Sequence, residues 1–310
     1  MTATPAPLVV IGGPTATGKT SLAIGLAERL HALGMPAEIV SADSRQVYRG
    51  LDIGTAKATR EERDRIVHHG IDLVDPDASW SVADFRAHAL GALTALGARG
   101  GVGILVGGTG FWLRAVAAGI DTDTLPHDPV VRAAIEERLA EAGVEGVATS
   151  LVALAPELAS RTDLRNPRRV ARALEIATLR GDRPLPAAVG YGARVLGIQL
   201  VVDPPTHQRR IEERAQAQFD AGLVEEARSL RERFDPSLPA FTSIGYRESW
   251  AYLDGGCTLA QAVEADARRN VQFAKRQATW FRREPSLAVI DATVAPLPAA
   301  AAALERWLDA

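Results

Sequence analysis

The sequence predicts an α/β fold: a parallel sheet core with helices on both faces, carrying a helical insertion domain. Three observations lead there. Strand-like and helix-like segments alternate over roughly the first 120 residues, the pattern of a parallel sheet wrapped by helices. The segment Gly13-Pro14-Thr15-Ala16-Thr17-Gly18-Lys19-Thr20 follows an apolar run and opens a helical pattern. From about residue 121 strand signals fade, and a strong one returns only at 195–202.

Taken in order, strands are expected at 8–12, 37–41, 71–74 and 102–106, with helices at 19–32, 59–67 and 82–96. Residues 13–20 match G-x-x-x-x-G-K-S/T, the P-loop, in the strand–loop–helix context that motif needs. Its glycines let successive N–H groups converge on an anion at a helix N-terminus. Lys19 adds a point charge for the terminal phosphates, and the Thr20 hydroxyl is placed to ligate Mg²⁺. A di- or triphosphate site is expected over Gly13, Pro14, Thr15, Ala16, Thr17, Gly18, Lys19 and Thr20.

Strand two runs into Asp43-Ser44-Arg45-Gln46 and strand four into Gly107-Gly108-Thr109-Gly110. Ligands of such sheets sit beyond the carboxyl ends of the strands, so all three loops should face one crevice. Residues 1–120 and 191–310 are read as the P-loop catalytic core. Residues 121–190 are read as the insertion, with helices at 129–142, 146–154 and 167–180. Pro167 suits a first helical position with Asn166 as its cap. Residues 207–280 read as mostly helical, followed by a short strand at 287–290 and a closing helix at 299–308.

Composition narrows the function classes. The chain has 310 residues and a net charge of −3, so no global basic field marks a nucleic-acid partner, and any such contact must be local. The single Cys257 excludes an intrachain disulfide and a cysteine-based zinc site. No targeting segment and no membrane-length apolar run is read, so a cytoplasmic monomer with no membrane partner is expected.

Asp43 could hold Mg²⁺ through water, accept a proton from a nucleophile, or merely cap a turn. Two segments poor in acids concentrate positive charge: 161–172, where Arg168 and Arg172 share a helix face, and 268–283, which no Asp or Glu interrupts. Both suit phosphate contacts, either the diphosphate or a nucleic-acid backbone. In Ser243-Ile244-Gly245-Tyr246-Arg247-Glu248, Tyr246 and Arg247 could bind phosphate or stack on a base. His68-His69 lacks metal-ligand spacing, and a surface role is expected.

Together and in this order, the segments GPTATGKT (13–20), SADSRQVYRGLDIGTAK (41–57), LVGGTGFWLRA (105–115), RNPRRVARALE (165–175), SIGYRE (243–248) and FAKRQATWFRR (273–283) resemble the bacterial-type tRNA dimethylallyltransferase family. The resemblance spans about the whole chain. It implies that the P-loop holds the diphosphate of dimethylallyl diphosphate with Mg²⁺. The N6 of an adenosine next to the tRNA anticodon then attacks the allylic carbon. It implies Asp43 as general base, Thr109 beside the same amine, and Lys19, Arg247 and either Lys275 or Arg276 as cationic help to the leaving group. It assigns contacts with the tRNA anticodon stem-loop to Asp43, Ser44, Arg45, Gln46, Thr109, Arg132, Arg168, Arg169, Val170, Ala171, Arg172, Thr242, Ser243, Ile244, Gly245, Tyr246 and Arg247, and Lys275 and Arg276 are expected to contact tRNA as well. Thr17 and Phe273 stand where that family more often has Ser and Tyr, and the bulky Phe111-Trp112 pair is expected to reshape a prenyl pocket. The rival reading, a small-molecule kinase, explains residues 1–60 equally well but not the GGTG loop or the second basic segment.

Overall fold

The computed structural model describes residues 4–119, 125–185, 187–284 and 287–310. The chain forms two compact units, Met1–Gly119 with Gly190–Ala310, and Ile120–Val189.

The first unit is built on β1 (Leu8–Gly12), β2 (Ala37–Ser41), β3 (His68–His69), β4 (Val102–Gly107), β5 (Val195–Val201) and β6 (Ala288–Asp291). All pair in parallel, in the order β3-β2-β4-β1-β5-β6. Parallel neighbours need crossovers, which here begin with α1 (Lys19–Ala32), α2 (Arg60–Arg65), α3 (Val82–Gly97) and α4 (Gly110–Ala117). Side chains alternate between the two faces of the sheet. Val9, Ile11, Ile39 and Ile104 pack with α1 and with α12 (Leu297–Asp309). Leu8, Val10, Val40 and Leu105 pack with α3 and α4 and with the later helices α8 (Pro204–Asp220), α9 (Leu223–Arg233), α10 (Tyr246–Leu253) and α11 (Leu259–Phe281). Helices on both faces explain why β1 and β4 are apolar without a polar side, and why β2, despite Glu38 and Ser41, is buried throughout as they are.

The third strand lies at His68–His69, paired with Ile39 and Val40, and not at 71–74, where Val74 makes only an isolated bridge to Tyr48. Gly70 and Asp72 both adopt left-handed backbone, which breaks an extended run. A Cβ at Gly70 would lie 2.5 Å from the Ser41 carbonyl oxygen. The helix expected over 59–67 is shorter, because Ile66 is already extended. Its start is fixed by a capping box between Thr59 and Glu62.

In the second unit α5 (Pro129–Leu154) joins the two helices expected there, interrupted at Gly143, whose φ of 66° breaks the helical backbone. The short α6 (Pro156–Ser160) was not expected. The last helix, α7 (Pro167–Arg180), starts where the sequence places it: Pro167 sits in its first turn and the Asn166 side chain accepts from the Arg169 N–H at 3.2 Å. Ile135, Val147, Leu151, Val170 and Leu174 form the core of this unit.

Candidate active site

The loops after β1, β2 and β4 converge on one cavity of about 470 Å³, lined by Lys19, Thr20, Asp43, Thr109, Arg214 and Gln277 among others. The P-loop keeps its anion-cradling shape through Gly18, whose φ of 83° opens α1. Gly13, Pro14 and Thr17 are buried behind it. The Thr17 hydroxyl donates to the Pro14 carbonyl at 2.9 Å, so it serves the loop itself. Lys19 Nζ donates to the same oxygen at 2.6 Å.

Thr15 is held from outside the loop at three points. Its N–H donates to Gln277 Oε1 at 2.8 Å. Its carbonyl accepts from His207 Nε2 at 2.8 Å, and its hydroxyl accepts from an Arg214 guanidinium nitrogen at 2.8 Å. Burial, helped by the Arg214 charge and opposed by Asp43, brings Lys19 down to a pKa of about 7. Arg214 is likewise held below its ordinary value by burial, with Asp43 and Asp266 opposing. Two cations share a site with few carboxylates, an arrangement that an incoming polyanion would relieve.

Asp43 Oδ1 accepts from the Arg45 N–H at 2.9 Å, so the turn-capping geometry is present alongside the cavity position. Thr109 Oγ1 accepts from the Ser44 N–H at 3.2 Å, and the Thr109 N–H reaches the Ala42 carbonyl at 3.3 Å. The two loops are therefore tied edge to edge. Gly107 permits this: a Cβ there would lie 2.1 Å from the Ala42 carbonyl oxygen. Gln46 is committed to the fold. It accepts from Ser41 Oγ at 2.7 Å and donates to the Thr55 and Ala56 carbonyls at 3.0 and 3.1 Å. Lys57, at the end of the same sequence segment, is buried on the Tyr48 carbonyl and on Asp52 and Asp72, so its charge is structural.

Other expected positions divide. Thr242, Ser243, Ile244 and Arg276 line the cavity; Gly245, Tyr246, Arg247 and Lys275 do not. Tyr246 is fully buried, packed near Phe241 and Trp250, with its hydroxyl donating to Glu226 at 2.8 Å. It is a core residue and is not available to stack on a base. Arg247 and Lys275 are exposed. Trp112 is buried and stacked on Phe85 at 4.2 Å between ring centroids, while Phe111 is exposed. Neither lines the cavity, so the bulky pair does not reshape it. His68 and His69 are half-buried. The His68 ring lines the cavity and is held below its ordinary pKa by burial, and His69 pairs with Glu38 at 2.8 Å.

Arg214 and Gln277, two cavity residues that bond Thr15, are not singled out by the sequence. Arg214 lies seven residues, about two helical turns, after His207, and both reach Thr15 from one helix face. That spacing is a signal, but only once the loop's partners are known. Gln277 sits inside a segment whose charges drew attention, yet its neutral amide makes the contacts, to Thr15 and to the Gly108 carbonyl at 3.0 Å.

In the second unit the expected cations behave differently. Arg172 and Arg132 reach the same Glu175 carboxylate oxygen, at 2.8 and 3.2 Å, and His127 takes the other at 2.6 Å. Burial alone would raise the Glu175 pKa; Arg172 and His127 outweigh it and bring the group down to about 2. Val170 and Ala171 are buried in the core of the unit, so their side chains are closed to RNA. Arg168 and Arg169 are exposed, the latter 3.7 Å from Asp163.

Residues 46–284 match the family described as IPP transferase. That span begins after both the P-loop and Asp43, so the match is independent of them. The tRNA dimethylallyltransferase of Roseiflexus sp. (strain RS-1) is 40% identical over 309 residues, covering 98% of this chain and 99% of that protein. The tRNA dimethylallyltransferase of Thermus thermophilus is 43% identical over 281 residues, covering 89% of each. The crystal structure of the full-length tRNA isopentenylpyrophosphate transferase of Bacillus halodurans superposes with a TM-score of 0.69 at 35% identity, covering 98% of both chains. With most of its length matched by the family and near full-length relatives at this identity, the chain belongs to the IPP transferase family.

Proposed function

We propose that the cavity transfers a dimethylallyl group from dimethylallyl diphosphate to N6 of the adenosine next to the anticodon of tRNA, releasing diphosphate. The observation that carries this is the convergence of a P-loop, Asp43 and Thr109 on a single cavity, in a chain of this family. The P-loop N–H groups and Lys19 bind the diphosphate, and Arg214 adds a second charge beside it. The adenine must leave the stack to enter the cavity. Its N6 lone pair forms a bond to the allylic C1 as the C1–O bond breaks. The electron pair departs with diphosphate, whose growing charge Lys19 and Arg214 stabilise. The N6 proton passes to the Asp43 carboxylate, and Thr109, tied to the same loop, orients the amine.

Thr20 lines the cavity, and among the described residues no group of three or more His, Cys, Asp or Glu is arranged to hold a metal. That donor set fits Mg²⁺, which keeps its waters and leans on substrate phosphates with one or two protein ligands. Bound by the Thr20 hydroxyl and the diphosphate, Mg²⁺ would supply charge neutralisation of the leaving group. Exposed Arg168, Arg169, Arg247 and Lys275 and the cavity-lining Arg276 are among the cations available to a tRNA backbone.

Incubation with unmodified tRNA, labelled dimethylallyl diphosphate and Mg²⁺ is expected to place label on the adenosine and release diphosphate. No label in tRNA, together with ATP turnover on a small metabolite, would overturn the reading in favour of a kinase.

A further inference from the structure

The segment G-x-x-x-x-G-K-S/T most often serves nucleoside triphosphates, its backbone N–H groups and lysine spread along the phosphate chain. In this chain one of those N–H groups is already committed. The Thr15 N–H points at Gln277 Oε1, 2.8 Å away. The Gln277 amide is fixed at its other end on the Gly108 carbonyl, 3.0 Å from Nε2. Gln277 is 7% exposed and its side chain runs hard against backbone: a Cβ on Gly108 would lie 2.2 Å from Gln277 Nε2. Thr15 cannot readily turn its N–H elsewhere. His207 holds its carbonyl and Arg214 its hydroxyl, so reorienting the residue breaks three hydrogen bonds.

We infer that Gln277 is a specificity-determining residue that restricts the loop to diphosphates and disfavours triphosphates. A diphosphate seated on the N-terminus of α1 uses the N–H groups around Gly18–Thr20 together with Lys19. A third phosphoryl group extending back along the loop, towards Thr15, meets an N–H already spent on Gln277. Gln277 acts through Thr15 and is a positioning residue. The inference rests on the diphosphate reading above, and it accounts for how a loop of this sequence avoids the abundant triphosphates.

The test is calorimetric titration of the full chain, with Mg²⁺, using inorganic pyrophosphate and inorganic tripolyphosphate as probes. The wild type is expected to favour pyrophosphate by about tenfold or more, the scale of one charge-assisted hydrogen bond. Gln277→Met keeps the volume without the amide, and should bring the two ligands within about threefold. Gln277→Glu keeps an acceptor at the Thr15 N–H and should retain the preference. Mere loosening of the loop would weaken both probes together and leave their ratio unmoved. Equal binding of the two probes by the wild type, or an unchanged ratio in Gln277→Met, would overturn the inference while leaving the diphosphate reading standing. Failure of the wild type to bind pyrophosphate at all would overturn both.

Discussion

In the sheet-bearing unit, Lys19 and Arg214 share an open cavity and feel chiefly Asp43 as counter-charge. In the helical unit, Arg132 and Arg172 close on a carboxylate with no exposure to solvent. The pKa values register the contrast. Lys19 is brought down to about 7 by burial and a neighbouring cation, whereas Glu175 is brought down to about 2 because its cations outweigh its burial. A cation short of partners is poised for an anion that arrives. A cation already on a buried carboxylate is holding the fold together. Charge in a sequence therefore does not say what it is for until its partner is known.

Breaking the helical side of this contrast should have the largest effect. Glu175→Ala would leave Arg132, Arg172 and His127 without their common acceptor, at a cost of about 3 kcal/mol, and urea unfolding would measure it. The pH dependence has a definite sign. The folded-state pKa of Glu175 lies below its ordinary value. Its contribution is therefore present in full above the unfolded pKa and is lost as pH falls through the window from about 4.5 towards 2. The Glu175→Ala protein should lack that part of the acid destabilisation.

The cavity side sharpens the contrast through proton linkage. A bound diphosphate favours the charged amine, so above pH 7 binding must take up a proton at Lys19. Pyrophosphate affinity should then fall by up to about tenfold per pH unit above 7, relative to Lys19→Arg, whose side chain does not titrate there. Calorimetry in two buffers of different ionisation enthalpy reads the uptake directly. A proton uptake of zero at pH 8 would mean that Lys19 is already charged in the free protein.

The smallest effect concerns the arginines that remain open. Arg168→Ala with Arg169→Ala should weaken tRNA binding a fewfold and reduce the slope of log affinity against log salt by about one for each arginine replaced. Arg172→Ala should leave that slope alone while lowering stability. If all three changed the slope equally, the partition between structural and RNA-facing arginines would be wrong.

Much of the fold is readable from its patterning, because β1 and β4 are continuous apolar runs and α1 and α7 carry clear starts. The misread strand at 71–74 shows the limit. Its apolar residues suit a strand, but the backbone there is turned by Gly70 and by an Asp72 held on Lys57 and Arg63, contacts that no local pattern reveals. The site was legible where residues sit in loops at strand ends, as Lys19, Asp43 and Thr109 do. It was not legible where a helix far along the chain supplies the side chain. Arg214 and Gln277 lie 199 and 262 residues from Thr15, and nothing local distinguishes them from solvent-facing neighbours. Tyr246 was misjudged for the converse reason: its segment looks polar, while its ring fills the core beneath Gly54.

In the proposed transfer Asp43 takes the proton from the attacking amine beside the allylic diphosphate. Single-turnover transfer of label from dimethylallyl diphosphate to unmodified tRNA, run for the wild type and Asp43→Ala with tRNA affinity measured alongside, tests it most directly. The expected result for Asp43→Ala is a loss of about 10²–10⁴-fold in the transfer rate with tRNA affinity nearly intact. A transfer rate unchanged in Asp43→Ala would contradict it.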